Sequence, residues 1–232
     1  SHNTVAAGMI RGRGGAGGSA APATGRQVQP LVRPRSTNVV WEGAAVNRTQ
    51  REQRNGHKAA VLWFTGLSGA GKSTIAQALE RRLFELGCQT FYLDGGNVGH
   101  GLHGDLGFSA AARKENIRRV AEVAKLAYDH GQIALCTFIS PFREDRDQAR
   151  ALLPEGSFLE IAVRCDLEEC MRRDPKGLYK RALAGDLSSP YEEPLAPELT
   201  IATDALTVEQ SIQVLLLDLR HRGILHEEEY EI

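Results

Sequence analysis

Little in this sequence points to an oxidising compartment, a bilayer or a nucleic acid. Its four cysteines, Cys88, Cys136, Cys165 and Cys170, show no C-x-x-C spacing. Most fall in apolar, strand-like or helix-like surroundings, so buried reduced thiols and a cytoplasmic location are expected. No apolar run approaches the ~18 residues needed to span a bilayer, and the first residues lack the charged, apolar and small-residue order of a secretory signal. A formal net charge of −1 offers a nucleic acid no bulk attraction. His100 and His103 sit in a glycine-rich loop with no partner pair, which is poor spacing for a metal centre. What is left is an ordinary globular composition, 42% hydrophobic and 25% charged over 232 residues. That suits one α/β domain with appendages, or two small domains.

The chain is organised around residues 61–73. Val61 to Phe64 reads as a buried parallel strand, and Thr74 to Leu86 has helical periodicity. Between them Gly66-Leu67-Ser68-Gly69-Ala70-Gly71-Lys72-Ser73 fits G-x-x-x-x-G-K-[ST]. Strand, glycine loop and helix in that order make a phosphate site. The loop turns successive backbone N–H groups inward, the helix N-terminus adds positive partial charge, and Lys72 can reach β- and γ-phosphates. Ser73 supplies a hydroxyl to Mg²⁺, which keeps water and phosphate oxygens as its other ligands. A nucleotide-phosphate site follows; the resemblance described below implies ATP there, bound by Gly66, Leu67, Ser68, Gly69, Ala70, Gly71, Lys72, Ser73 and Thr74.

Before that loop, residues 11–35 are rich in Gly, Ala, Pro and Arg and read as a flexible linker. Residues 36–58 contain a polar helix-like run, Val46 to Asn55, expected to pack on the domain that follows. From Ala59 onward strand candidates (60–65, 90–93, 133–139, 158–163, 199–202) alternate with helix candidates (72–86, 109–130, 141–153, 167–172, 178–184, 208–222). Ser109 is a plausible helix N-cap, Gly131 closes that helix, and Thr207 with Gln210 offers a capping box. Short apolar strands alternating with helices predict a doubly wound α/β fold, a P-loop NTPase-type parallel sheet with helices on both faces. Its ligands lie beyond the carboxyl ends of the strands.

That rule gives the other groups their places. Asp94, closing the second strand candidate, faces the phosphate site; there it could accept a proton from an acceptor hydroxyl, help hold Mg²⁺ through water, or merely cap a turn. Arg113 and Asn116 share a helix face and could grip one anionic or polar ligand, unless that face is simply solvated; Phe108 could stack on a base. Ser140 ends the third strand candidate, where it touches a ligand or caps the next helix, with the cap reading favoured for a serine alone. The cationic run from Arg172 to Arg181 has the form of a lid over phosphates.

Taken together, these residues resemble the adenylylsulfate kinases. The similarity runs through Phe64–Ser73, Asp94-Gly95, His100-Gly101-Leu102, Asp105 to Ser109, Glu115 to Arg119, Phe138 to Arg143 and Asp174 to Tyr179, and spans about residues 37–226. The resemblance implies phosphoryl transfer from ATP to the 3′-hydroxyl of adenosine 5′-phosphosulfate (APS), giving 3′-phosphoadenylyl sulfate. Asp94 would orient and deprotonate that hydroxyl, while Lys72 and Mg²⁺ neutralise the γ-phosphoryl charge. Phe108 would stack on the APS adenine, and Arg113 and Asn116 would hold its phosphosulfate and ribose. Ile139 and Ser140 would line the same pocket, and Lys176 and Leu178 would belong to the lid. Ser140 holds the place of a phosphoserine described in the family; direct in-line transfer needs no such intermediate and is favoured here. A homodimer is implied as well.

Residues 1–10 resemble the closing strand of a bacterial ATP sulfurylase large subunit. The resemblance thus implies a fusion: 1–10 as its remnant, 11–36 as linker, 37–226 as kinase domain and 227–232 as an acidic tail. Three departures stand out. Gly96 and Gly99 occupy places where the family usually has Asp and Arg, Gly104 stands where a basic residue is common, and the segment at Gly185–Tyr191 is shorter than the usual lid. Losing a cation at 99 should weaken binding of an anionic substrate. These departures leave room for a weakened, nucleotide-binding regulatory domain, or for a kinase acting on another nucleotide.

Overall fold

The computed structural model describes residues 45–173, 177, 179–180 and 191–226. The expected sulfurylase remnant, linker and acidic tail, the helix candidate at 178–184 with the shortened lid, and the site candidates Lys176 and Leu178 lie outside them.

Five parallel strands form one sheet in the order β2-β3-β1-β4-β5: β1 Ala60–Thr65, β2 Thr90–Asp94, β3 Ile133–Thr137, β4 Phe158–Arg164 and β5 Leu199–Ala202. The central strands are buried along almost their whole length, as a sheet covered on both faces requires. One core layer packs Leu62, Phe64 and Leu135 against α2 (Lys72–Glu85) and the C-terminal helix, here α6 (Val208–His221). The other packs Val61, Trp63 and Cys136 against α3 (Ala110–Asp129) and α4 (Arg143–Ala151). The expected fold is the observed one. All four thiols are unpaired, and burial holds the Cys88, Cys136 and Cys170 thiols above their ordinary range.

The described part of the N-terminal extension, residues 45–58, packs on the domain as expected. In α1 (Arg48–Asn55) Asn47 and Gln50 form a capping box, Asn55 Nδ2 donates to Gly131 O, and the Arg48 guanidinium lies 4.4 Å from the Tyr128 ring centroid. Ser109 caps α3, Gly131 follows its C-cap in the left-handed conformation, and Thr207 with Gln210 boxes α6. The largest departures from expectation flank residues 138–142. β3 stops at Thr137, and α4 runs Arg143–Ala151 with Phe142, not Ser140, in the capping position. Between them Ile139 O and Ser140 O accept from the side chains of Thr65 and Arg146. No helix among the described residues is long and apolar enough to cross a membrane.

Candidate active site

The carboxyl ends of β1, β2 and β3 meet at one edge of the sheet, and the register sets Asp94 beside Thr137 and Thr137 beside Phe64. The loop after β1 can make its turns only with glycine. At Gly66 a Cβ would lie 2.3 Å from Val163 O, and at Gly69, with φ +77°, it would lie 2.6 Å from Cys170 O. The loop's carbonyls are tied outward. Tyr179 donates to Ser68 O (3.0 Å), Arg173 of α5 (Leu167–Arg173) to Gly69 O (3.4 Å), and Thr203 to Ala70 O (2.7 Å). Turning carbonyls outward turns the companion N–H groups toward the loop's hollow. Asn47, Ser109 and Thr207 cap their helices by side chain, whereas Gly71 offers α2 none. The first-turn N–H groups of α2 therefore suit the oxygens of an anion. Lys72 is buried, its ammonium donating to Gly66 O (2.9 Å) and Leu67 O (2.7 Å) at the mouth of the loop.

Asp94 joins this loop to the far side of the site. Its Oδ2 accepts from Ser73 (2.7 Å), Thr137 (2.9 Å) and Tyr92 (3.4 Å), and its Oδ1 accepts from Gly96 N (2.8 Å). Because the Ser73 proton goes to the carboxylate, the Ser73 oxygen lone pairs point away from it. Hydroxyl and carboxylate oxygens are the hard donors Mg²⁺ prefers, and the residues fit that ion with phosphate and water completing its shell. Among the described residues no group of three or more His, Cys, Asp or Glu side chains is arranged to hold a metal ion.

Of the expected acceptor-side residues, Arg113 and Asn116 lie near the start of α3 and Phe108 just ahead of it. Phe108 is 68% exposed, Arg113 Nε donates to its carbonyl (3.0 Å), and Asn116 lies a helical turn further along α3 with a buried, unpaired Oδ1. Below them, Arg119 ties α3 to the loop through Leu102 O (2.9 Å) and Asp105 (2.6 Å). His103 is buried edge-on to Phe138, and burial lowers its pKa, keeping the imidazole neutral. A Cβ at Gly99 would meet nothing within 4 Å, so no close neighbour requires glycine there.

Ser140 is the largest surprise. Its hydroxyl accepts from Trp63 Nε1 (3.1 Å) and donates to Thr65 Oγ1 (3.0 Å), which donates in turn to Ile139 O (2.8 Å). It is 2% exposed and, among the described residues, hydrogen-bonds no carboxylate or imidazole. A hydroxyl whose proton goes to another hydroxyl has no base to activate it, an arrangement that suits a scaffold. The residues Trp63, Thr65, Arg146, Tyr191 and Thr203, which complete the site's frame, escaped sequence reasoning.

The family model described as Adenylylsulphate kinase matches residues 58–202. A probable adenylyl-sulfate kinase of Halalkalibacterium halodurans is 56% identical over 182 residues, 76% of this chain and 90% of that protein. One from Bacillus subtilis is 50% identical over 194 residues, 81% and 98% of the two chains. Among solved structures, the Mycobacterium tuberculosis APS kinase CysC in complex with AMPPNP and APS superposes with a TM-score of 0.65 at 41% identity, covering 71% of this chain and 99% of that one. A hexameric APS kinase from Thiobacillus denitrificans gives 0.59 at 35%, with 77% of this chain and 32% of that chain covered.

Proposed function

The chain belongs to the adenylylsulfate kinase family, and we infer that it moves the γ-phosphoryl group of ATP to the 3′-hydroxyl of APS, giving ADP and 3′-phosphoadenylyl sulfate. The observation that carries this reading is the convergence of Ser73, Thr137 and Tyr92 on Asp94, which sets one carboxylate beside the phosphate loop and supports its serving an acceptor bound next to it.

In this reading the P-loop N–H groups and the α2 N-terminus bind the ATP phosphates. Lys72 exchanges its bonds to Gly66 O and Leu67 O for charge-assisted ones to phosphate. Ser73 would hold Mg²⁺, which supplies charge neutralisation across the β- and γ-phosphates. Asp94, held in place from both of its oxygens, orients the 3′-hydroxyl and takes its proton. Phe108, Arg113, Asn116, Ile139 and Ser140 form the acceptor pocket, and Lys176 and Leu178 its cover. Transfer is direct and in line, with Ser140 serving as a wall. Gly99 lends support to a second reading, a nucleotide-binding domain with weakened turnover. No close neighbour requires glycine there, and the chain lacks the cation that the resemblance leads one to expect at that place.

The finer setting is proposed as well. The Gly-, Ala-, Pro- and Arg-rich run before the domain supports its being the kinase end of a longer, cytoplasmic sulfate-activating chain, following residues 1–10 of an ATP sulfurylase. The Thiobacillus denitrificans chain, of which this match covers 32%, is an example of such a segment within a longer chain. Self-association is expected, in keeping with the hexamer described for that protein.

The test is ADP release from Mg-ATP with and without APS, with the product's phosphate located by ³¹P NMR. APS-dependent ADP release with a new 3′-phosphomonoester is expected. ATP hydrolysis indifferent to APS would contradict the kinase reading.

A further inference from the structure

Just past β3 the chain adopts a costly conformation: Ser140, a non-glycine residue, has φ +40°. Left-handed backbone persists at such a residue only where neighbours over-determine it. Here they do. Arg146, 1% exposed on α4, spreads its guanidinium over three acceptors: Ser140 O (2.6 Å), Glu192 O (2.8 Å) and Glu160 Oε1 (2.6 Å). Glu192 N donates to Pro141 O (2.8 Å), Glu192 Oε2 accepts from Arg143 N (2.9 Å), and Arg143 Nε donates to Glu193 O (2.6 Å). Tyr191 completes the strap, its ring centroid 5.8 Å from the Arg146 guanidinium and its hydroxyl 3.3 Å from Thr65 Oγ1.

A proton inventory fixes the directions. Thr65 has one proton, and it goes to Ile139 O (2.8 Å); the Ser140 proton goes to Thr65 (3.0 Å). Tyr191 must therefore be the donor in its contact with Thr65. Burial raises its pKa, so the phenol keeps that proton. The Tyr191 and Ser140 protons run to Thr65 and the Thr65 proton to Ile139 O, while Arg146 holds Ser140 O.

We propose that the strap Tyr191–Glu193, acting through Arg146 and Thr65, positions Ile139 and Ser140 against the acceptor nucleotide, which makes Arg146 and Tyr191 positioning residues that touch neither substrate. The inference rests on the kinase reading above. A merely stabilising role explains the arrangement less well. Buried ion pairs often contribute no more stability than apolar residues of equal volume, whereas a planar fork that gathers two carbonyls and a carboxylate needs a guanidinium. The ATP side has its own ties, from Tyr179, Arg173 and Thr203 to the P-loop carbonyls. Loosening the strap should therefore be felt by one substrate only.

The experiment compares wild type, Tyr191→Phe and Arg146→Lys in the full chain. Calorimetric affinities for ATP and APS, kcat and KM are measured after circular dichroism confirms folding. Tyr191→Phe should raise the APS KM about three- to tenfold, the range of one neutral hydrogen bond. Arg146→Lys should lower kcat/KM for APS further, and ATP affinity should stay within about twofold of wild type. Folded variants with unaltered APS kinetics would overturn the proposal, as would equal losses for APS and ATP. If Arg146→Lys does not fold, Tyr191→Phe decides alone. A wild type without APS-dependent turnover would sink the kinase reading and this one together; wild-type turnover with unaffected variants would sink only the strap.

Discussion

Replacing Ser140 with alanine separates the two roles open to that hydroxyl. The substitution removes the acceptor of Trp63 Nε1–H, 3.1 Å away, and Trp63 is fully buried. A buried donor left unpaired costs about 1–3 kcal/mol. Alanine carries a Cβ as serine does, so the strain at φ +40° is unchanged. Thr65 keeps its bonds to Ile139 O (2.8 Å) and Tyr191 (3.3 Å), so no second group is orphaned. For a domain of this size each kcal/mol lowers Tm by ~2–4 °C, which puts the expected drop at about 2–12 °C. In kinetics, a wall that loses one neutral hydrogen bond should lose ~2–13-fold in kcat/KM for APS. A phosphorylated intermediate would lose all turnover. Thermal unfolding by circular dichroism, paired with coupled ADP release well below Tm, reads both quantities. A variant that folds and binds both substrates, yet falls more than about a thousandfold in kcat, would refute the scaffold reading. Ser140→Gly offers a control, because glycine adopts that φ without penalty.

Three further outcomes follow from the same geometry. His57, 2% exposed, accepts from Gln89 N (2.9 Å) and pairs with Lys58 O (3.0 Å) at the amino ends of β1 and β2; His57→Phe should lower stability by ~1–3 kcal/mol, seen as a lower urea midpoint at unchanged m. Gly69→Ala forces a Cβ to within 2.6 Å of Cys170 O at φ +77°, so ATP affinity measured by calorimetry should fall about 5–150-fold, and an unchanged affinity would contradict the loop's account. Arg118 and Arg119 hold Glu115 down from 4.5 to about 2; the stability this contributes is fully present above pH 4.5 and disappears as pH falls through about 2. Glu115→Gln should therefore show a shallower loss of stability across that window, and parallel profiles for the two proteins would contradict the assignment.

Much of this was legible in the residues. The P-loop glycines, the short apolar strands and the caps at Ser109 and Thr207 are local signals, and each is where the pattern put it. Asp94 was placed at its strand end by the rule for parallel sheets, although residue chemistry alone left it balanced between base and turn cap. Ser140 shows where local reading stops. A serine ahead of a helix looks like a cap, but Trp63 and Thr65, more than seventy positions away, take its hydroxyl, and Phe142 stands in the capping position instead. Arg146 looks like a solvated helix charge until Glu160 from β4 and the carbonyls of 140 and 192 close around it. Such frames are built by tertiary convergence, and no spacing within one segment announces them.

The central claim is that Asp94 serves the acceptor hydroxyl. Its direct test is APS-dependent ADP release by wild type and by Asp94→Asn, with ATP affinity measured alongside. The account predicts a folded variant whose turnover falls at least about a hundredfold while ATP still binds, since an amide cannot take the 3′-hydroxyl proton. Near-wild-type turnover in Asp94→Asn would contradict it.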